Sequence, residues 1–314
     1  MKAILDFIGK YKSFAIVCHI DPDGDTLGAS FALVEALRLI GKDAVSVCQN
    51  PIPYMYSFMP GRLVFPEEAE GVEAVIAVDC ADIKRLGSAA YLIEDRPGAI
   101  IDHHISNDCF VEPCYLDTGA SSTCEIVYQL ILEMGVKVSA DMAENLYVGI
   151  STDTGNFCYS NTTPTAFYTA SKLLEAGFDI EKTANTLYRS RTLAKTRLIG
   201  QAISSMELHF DNRVALMVIS LEQMQAAGAS DTDFEGVIDF ARDIQGIEIA
   251  LLLRETPTGA YKSSLRSSGK ANVEGIAASY GGGGHCKAAG CVLKGNINIL
   301  LPEILEKVGE ELEK

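Results

Sequence analysis

The sequence predicts a two-domain α/β protein, with an N-terminal parallel β-sheet covered by helices on both faces and a smaller C-terminal α/β domain with a mixed sheet. The chain has 314 residues, about the length of two domains. Short apolar runs alternate with helical patterns over residues 13–104, whereas strand–turn–strand patterns begin after residue 206. We therefore expect domains at residues 1–190 and 207–314, joined by a linker helix at residues 191–206.

Four apolar runs in the first domain predict strands. They are "SFAIVCHI", "DAVSVC", "VEAVIAVDCAD" and "GAIIDHHISN". β-branched residues run through them without polar alternation, which is typical of parallel strands buried on both faces. The segment "TLGASFALVEALRLIGK" has helical periodicity and ends at Gly41, and residues 119–189 are mostly helical in pattern.

The second domain starts with hairpin patterns. "MELHFDNRVALMVIS" predicts a hairpin that turns at Asp211 and Asn212, and "GIEIALLLRETPTGAYKSSLRS" predicts another around residues 257–259. Helices are expected at residues 221–244 and 272–279, followed by a glycine block, the strand "KAAGCVL" and a terminal helix.

Charge limits the kinds of partner. The formal net charge is −16, and a uniformly acidic surface repels long nucleic acid, whose affinity comes largely from lysine and arginine. A short RNA or a nucleotide held in a local pocket remains compatible with that charge, whereas long duplex nucleic acid is not expected. The longest apolar runs have the length of strands and predict no membrane span.

Cysteine usage and the N-terminal residues bear on the compartment. Charged residues interrupt the apolar positions of "MKAILDFIGKYKSFAIVCHI", so no signal peptide is predicted. Nine cysteines are present and no pair has C-x-x-C spacing, which favours free thiols over a zinc knuckle. We expect a cytoplasmic protein.

Acidic residues and histidines follow the predicted strands. Parallel α/β sheets bind ligands beyond the carboxyl ends of their strands. A single Asp there is typically a helix cap, and a single His is typically a satisfied core residue. Four clusters on one edge indicate a site instead. The clusters are His19 with Asp23 and Asp25, then Asp79, then Asp102 with His103 and His104, and finally Asp153 at a helix end.

These side chains have the chemistry of metal ligands. Carboxylates and imidazoles suit Mn, Fe, Co or Zn, with Mg less favourable beside histidine. Crowded carboxylates repel one another unless cations neutralise them. Four carboxylates would balance two divalent ions, which could share one carboxylate and hold a bridging hydroxide for phosphoester hydrolysis. The four are Asp23, Asp25, Asp79 and Asp153.

The motifs resemble those of a known family. "HIDPDGD", "VDCAD", "DHHIS" and "STDTGNF" resemble, in order and spacing, the four motifs of the DHH phosphoesterase superfamily. "GGGGHCKAAG" resembles the signature of its DHHA1 substrate domain. The arrangement is most similar to the NrnA-type group of oligoribonucleases and 3′,5′-bisphosphate nucleotide phosphatases. Residues 1–190 would then be the DHH catalytic domain and residues 207–314 the DHHA1 substrate-binding domain.

The resemblance implies roles for the clustered residues. One metal would be held by His19, Asp23 and Asp79, and the other by Asp25, Asp79, His103 and Asp153, with Asp79 bridging. Members of the family generally prefer Mn²⁺, and Mg²⁺ and Co²⁺ are the alternatives. His104 would act on the scissile phosphate or its leaving oxygen, and Asp102 would orient the histidines.

Substrate contacts are expected in the second domain. Consecutive glycines let backbone N–H groups approach an anion, although a flexible loop without a ligand has the same composition. An arginine in "SLRS" can make a bidentate contact to a phosphate. The resemblance implies contacts from Arg266, Ser267, Gly283, Gly284 and His285. Lys287 is better explained as a solvated surface lysine. A hinge face exposed to water explains the arginines at residues 189, 191 and 197 as well as phosphate steering does.

The implied activity is metal-dependent hydrolysis of short oligoribonucleotides to 5′-mononucleotides, of 3′-phosphoadenosine 5′-phosphate to AMP, or of both. A phosphodiesterase for linear or cyclic dinucleotides is the alternative enzyme. A nucleotide-binding sensor that has lost catalysis would carry a broken motif, and all four motifs are intact. The oligomeric state is left open, with a homodimer as one candidate.

Overall fold

The computed structural model describes all 314 residues, Met1–Lys314. The chain forms two compact units, Met1–Ser190 and Arg191–Lys314. The first contains a parallel sheet with helices and the second a mixed sheet with helices, so the predicted α/β class is confirmed. No helix combines the length and apolar character that crossing a bilayer demands.

The first unit is built on a six-stranded sheet of order β3-β2-β1-β4-β5-β6, in which every pairing is parallel. The strands are β1 (Ser13–Val17), β2 (Asp43–Val47), β3 (Leu63–Val64), β4 (Ala74–Val78), β5 (Gly98–Asp102) and β6 (Cys114–Leu116). The four predicted strands form the centre of this sheet. The edge strands β3 and β6 are too short to give an apolar run that the sequence could reveal.

Helices cover both faces of this sheet. They are α1 (Lys2–Lys10), α2 (Gly24–Leu39), α3 (Ala90–Glu94), α4 (Thr123–Glu133), α5 (Ala140–Asp153), α6 (Pro164–Glu175) and α7 (Ile180–Arg189). Successive residues of β1 enter opposite cores, because side chains alternate along a strand. Phe14 and Ile16 lie in one apolar cluster, whereas Ala15 and Val17 lie in the other.

The second unit is built on a six-stranded mixed sheet of order β11-β12-β10-β9-β8-β7. The strands are β7 (Glu207–His209), β8 (Val214–Ile219), β9 (Ile249–Glu255), β10 (Tyr261–Ser267), β11 (Gly283–His285) and β12 (Ala288–Leu293). Both predicted hairpins are present, as β7–β8 and β9–β10, and the β8–β9 pair is parallel. Part of the glycine block forms β11, which the sequence did not predict as a strand.

The helices of the second unit are α8 (Leu193–Ser204), α9 (Leu221–Ala227), α10 (Asp239–Arg242), α11 (Val273–Ala278) and α12 (Ile297–Leu312). The single helix predicted at residues 221–244 is wrong. Gly228 ends α9 in the left-handed conformation at φ 70°, and Gly236 has φ 74°. These two glycines break the segment into α9, a short 3₁₀ turn and α10.

One face of the second sheet is partly open. On β10 and β12, Leu265, Ala289 and Cys291 pack in the core that also contains residues of α11 and α12. The opposite face of these two strands carries Lys262 and Val292, which are both exposed. Arg266 lies on this open face, because residues two apart on a strand project to the same side.

The cysteines differ in part from the expectation. Seven are free, but Cys109 and Cys114 form a disulfide. Their Cα atoms are 5.7 Å apart, within the range that a disulfide spans. The expectation of free thiols was therefore wrong for this pair, because residue counts and C-x-x-C spacing do not report on a loop that folds back.

Candidate metal centre

Eight acidic and histidine side chains meet at the carboxyl edge of the first sheet. They form three overlapping groups, and within each group the potential ligand atoms lie within 4.8 Å of one another. The structure thus brings together every cluster that the sequence placed at this edge. The groups are Asp79 with Asp102, His103 and His104; His19 with Asp23 and Asp79; and Asp25 with His103 and Asp153.

Backbone elements fix the positions of these residues. His19 and Asp79 follow the ends of β1 and β4, whereas Asp102 is the last residue of β5. Asp23 is the N-cap of α2, accepting hydrogen bonds from the backbone N–H groups of residues 25 and 26. Asp153 is the last residue of α5, as predicted.

The ring of His103 lies among three carboxylates. Its Nε2 atom is 3.4 Å from Asp153 Oδ2, 3.6 Å from Asp79 Oδ1 and 4.0 Å from Asp25 Oδ2. This Nε2 atom is buried and has no hydrogen-bond partner. A buried polar atom without a partner is costly, and a cation between Nε2 and the carboxylates would satisfy all four groups. The residues therefore fit a divalent metal ion.

His19 forms the second half of the cluster. Its Nε2 atom is 3.7 Å from Asp23 Oδ2 and 3.6 Å from Asp79 Oδ2. Its Nδ1 atom is 2.6 Å from the carbonyl oxygen of Ile20 and 3.3 Å from Arg85 Nη2, so Nδ1 is occupied by contacts away from the carboxylates. Nε2 is therefore the nitrogen that faces the carboxylates and would bind a metal once its proton is lost.

The electrostatics of the cluster favour a bound cation. Burial raises the pKa of Asp25 well above its usual range, and the charges of Asp79 and Asp153 add to the effect. Burial also raises the pKa of Asp153 to about 6, against the opposing charge of His103. Burial alone would lower the pKa of His19, but hydrogen bonds to Asp23 and Asp79 raise it to about 10. Without a metal, the site therefore retains protons that a divalent ion would replace.

The first turn of α4 holds two of these carboxylates in place by hydrogen bonds. The sequence did not predict this contribution of α4. The backbone N–H groups of Thr123 and Cys124 donate to the two oxygens of Asp25 at 2.6 and 2.8 Å. The Thr123 hydroxyl donates to Asp79 Oδ1 at 3.0 Å. The N-cap Ser122, three residues before Glu125, signals that a helix starts here, but not that it faces the strand ends.

Asp102 lies behind the histidines. It is fully buried and accepts three hydrogen bonds, from His104 Nδ1 at 2.8 Å, from the backbone N–H of His103 at 2.8 Å and from Asn107 Nδ2 at 2.5 Å. Burial would raise its pKa, but these hydrogen bonds lower it. The hydrogen bond to Asp102 in turn raises the pKa of His104. The His104 side chain is 42% exposed, so its other nitrogen, Nε2, is available to a substrate.

Two of the predicted substrate contacts share a face of the second sheet. His285 pairs with Ala288 across β11 and β12, and Ala288 pairs with Arg266 across β12 and β10. Directly paired residues project from the same face, so Arg266 and His285 flank a small alanine on the open face. Ser267 lies on the opposite face with Leu265, and its buried hydroxyl has no hydrogen-bond partner.

The glycines of this segment have different surroundings. A Cβ atom on Gly282 would lie 2.2 Å from the carbonyl oxygen of Gly290, and one on Gly284 would lie 2.4 Å from that of Ala288. Gly284 also has φ 148°. Both glycines are therefore required by close packing against β12. Gly283 is exposed, and nothing lies within 4 Å of its Cβ position.

Fold and site together define an α/β protein with a carboxylate–histidine centre for divalent metal at the carboxyl edge of a parallel sheet. Residues 13–150 match the family model of the DHH family, N-terminal domain, and residues 211–314 match that of the DHHA1 domain. The chain belongs to the DHH family of phosphoesterases, which confirms the resemblance seen in its motifs.

Similar proteins cover nearly the whole chain. The bifunctional oligoribonuclease and PAP phosphatase NrnA of Thermus thermophilus is 33% identical over 95% of this chain and 90% of its own length. The protein of the same name from Bacillus subtilis is 30% identical over 90% of each chain. An exopolyphosphatase-related protein from Bacteroides fragilis has a crystal structure that superposes with a TM-score of 0.89, at 27% identity, over 99% of this chain and 96% of that one.

Proposed function

We propose that the protein hydrolyses short oligoribonucleotides to 5′-mononucleotides and 3′-phosphoadenosine 5′-phosphate to AMP. The observation that carries this proposal is the buried, unpartnered Nε2 atom of His103 among Asp25, Asp79 and Asp153. Similarity over nearly the whole chain to two proteins named oligoribonuclease and PAP phosphatase supports the choice of substrate.

Two divalent ions, Mn²⁺ in our proposal, would occupy the cluster. The first would be held by His19, Asp23 and Asp79, which form one group in the structure. The second would be held by Asp25, His103 and Asp153, with Asp79 Oδ1 also 3.6 Å from His103. Such ions stabilise negative charge on phosphoryl oxygens and make a water molecule more acidic.

His104 would hold the proton for the leaving oxygen. Asp102 accepts the Nδ1 hydrogen of His104 at 2.8 Å, which fixes the ring and stabilises its protonated form. The exposed Nε2 atom can then donate to a phosphate or leaving oxygen. Asn107 and the backbone of His103 hold Asp102 in place, so the carboxylate acts through the ring and not on the substrate directly.

The open face of the second sheet would bind a phosphate. Arg266 and His285 flank Ala288, and the only hydrogen bond of the Arg266 guanidinium is to the carbonyl oxygen of Leu265 at 3.0 Å. Its remaining donors can make a bidentate contact with a phosphate. Gly283 leaves room for an anion to approach the backbone. Gly284 and Ser267 stay predicted substrate contacts, although the Ser267 hydroxyl is buried on the opposite face of the sheet from Arg266.

The decisive experiment measures mononucleotide release with Mn²⁺ from four substrates at equal concentration. These are the dinucleotide pApA, a five-residue RNA, 3′-phosphoadenosine 5′-phosphate and a cyclic dinucleotide. We expect turnover of the first three, and loss of at least a hundredfold in kcat for Asp79→Ala. Asp141→Ala is the matched control, because Asp141 is an exposed residue at the other end of α5 from Asp153. Binding of nucleotides without any turnover, or an active Asp79→Ala variant, would refute the proposal.

A further inference from the structure

A separate cavity of about 290 Å³ lies in the first unit, between residues 50–52 and the segment that contains β3 at residues 61–65. Its lining includes residues that follow the carboxyl end of β2, Cys48 and residues 50–52, and Phe65, which follows β3. β2 lies beside β1 in the sheet and β3 lies beside β2, and all three strands are parallel. The cavity therefore lies at the same edge of the sheet as the metal centre. Its volume is at the lower end for ligand pockets, which suits one flat ring system better than a large ligand.

The wall of this cavity contacts the backbone of the metal centre. The Cys48 thiol, which lines the cavity, donates to the carbonyl oxygen of His19 at 3.3 Å. Asn50 Oδ1 accepts a hydrogen bond from the backbone N–H of Asp21 at 3.4 Å. The cavity is therefore about one strand spacing, ~5 Å, to the side of the β1 residues that lead into the centre.

The cavity lining combines flat, apolar and hydrogen-bonding groups. Ile52 and Leu63 provide apolar walls, and the Phe65 ring is 53% exposed. Arg62 is 79% exposed, and its one ion pair is a 3.8 Å contact with Glu68. Exposed pairs of this kind hold a side chain weakly, so the guanidinium is available to another partner. The Asn50 side chain makes its hydrogen bond through Oδ1, which leaves the Nδ2 group free to donate.

We infer that this cavity binds a nucleobase of the substrate whose phosphate lies at the metal centre. Proteins bind unstacked bases by stacking them on aromatic rings or arginine planes and by donating hydrogen bonds to their edges. Phe65 and Arg62 supply the planes, and Asn50 Nδ2 supplies a donor. A phosphate is excluded as the occupant, because most of the lining is apolar and Arg62 is its one cation. The inference rests on the proposed function, since it assumes a nucleotide at the centre.

The test compares equilibrium binding of AMP and ribose 5-phosphate, which carry the same phosphate and differ in the base. Isothermal titration with Mn²⁺ present would be run on the wild type, Phe65→Ala, Phe65→Tyr and Tyr54→Ala. Tyr54 is a matched control because it is 88% exposed, lies on the neighbouring segment and does not line the cavity. We expect the wild type to bind AMP about tenfold or more tightly than ribose 5-phosphate, as stacking of one base contributes that much.

Phe65→Ala should remove this preference for AMP without weakening ribose 5-phosphate binding, whereas Phe65→Tyr and Tyr54→Ala should keep the preference. Equal binding of the two ligands by the wild type would overturn the inference, and so would a preference that survives Phe65→Ala. Equal weakening of both ligands in Phe65→Ala would also overturn it, since the phenyl ring would then act on the phosphate. Hydrolysis of pApA is measured in parallel. Lack of hydrolysis with the AMP preference intact would refute the proposed activity and leave the base subsite standing.

Discussion

The two carboxylate oxygens of Asp79 face two different histidines. Oδ1 is 3.6 Å from His103 Nε2, and Oδ2 is 3.6 Å from His19 Nε2. The buried Asp79 side chain thus lies between the two halves of the cluster and contributes one oxygen to each. The orientation of Asp79 about its own χ angles therefore decides whether both halves are assembled, and the groups that hold Asp79 become as important as the ligands themselves.

Thr123 is the first such group. Its hydroxyl donates to Asp79 Oδ1 at 3.0 Å. We expect Thr123→Val, which keeps the shape and removes the hydrogen bond, to weaken Mn²⁺ binding about ten- to a hundredfold. Equilibrium dialysis followed by metal analysis would measure this change.

Thr123→Ser is the matched control, because it keeps a hydroxyl and should bind Mn²⁺ nearly as the wild type does. The backbone N–H groups that hold Asp25 are unchanged in both variants. Unchanged metal affinity in Thr123→Val would show that packing alone orients Asp79.

The contribution of Thr123 also marks the limit of what the sequence could predict about the site. The acidic and histidine clusters were predictable because parallel strands bring their carboxyl ends to one edge. Thr123 and Asn107 were not, since a hydroxyl and an amide have no distinctive pattern and act here only through tertiary position. The cavity beside Phe65 was missed for the same reason, because its walls come from a loop and a two-residue strand, Leu63–Val64.

In the fold, too, some elements were predictable from the sequence and others were not. Strands such as Ala74–Val78 were predicted, because burial on both faces demands an uninterrupted apolar run. The helix expected at residues 221–244 was wrong, because its periodicity continues across Gly228 and Gly236, whose positive φ angles end one helix and redirect the chain. Conformations with positive φ are chosen by tertiary packing among several options open to glycine, so composition alone does not decide them.

Protons should leave the centre when metal binds. In the metal-free protein, contacts with Asp23 and Asp79 raise the pKa of His19 to about 10 against the effect of burial, so at pH 8 this ring is protonated. A metal ion takes the place of that proton. We expect about one proton per protein from His19 at pH 8, measured by titration calorimetry in two buffers of different ionisation enthalpy. His19→Gln should release correspondingly fewer, and equal release from both proteins would contradict the assignment.

The raised pKa values of His19 and Asp153 also determine how the stability of the metal-free protein depends on pH. A histidine whose folded pKa is raised stabilises the fold below its ordinary pKa of about 6.5, and this stabilisation is lost as the pH rises toward 10. Burial raises the pKa of Asp153 to about 6, because ionising this carboxyl in the folded protein costs free energy. Asp153 therefore also destabilises the fold as the pH rises, but between about pH 4 and 6. We expect Tm in EDTA to fall from pH 6.5 to 10, and the increase in Tm on adding Mn²⁺ to grow over that range. A Tm in EDTA that rises with pH would contradict this prediction.

Substitutions in the glycine block should separate packing from substrate binding. Gly282→Ala places a Cβ atom 2.2 Å from the carbonyl oxygen of Gly290, so β11 must shift. We expect Gly282→Ala to lower the free energy of unfolding by about 1–3 kcal/mol, as overpacking does. Gly283→Ala has nothing within 4 Å of its new methyl group and should leave stability unchanged.

If a substrate phosphate approaches the backbone at Gly283, the methyl group of Gly283→Ala obstructs the approach, and KM for pApA should rise several-fold at constant kcat. Urea denaturation and steady-state kinetics on the two variants would measure both effects. A wild-type KM in Gly283→Ala would remove this glycine from the proposed contacts and leave Arg266 and His285 as the groups that hold the phosphate.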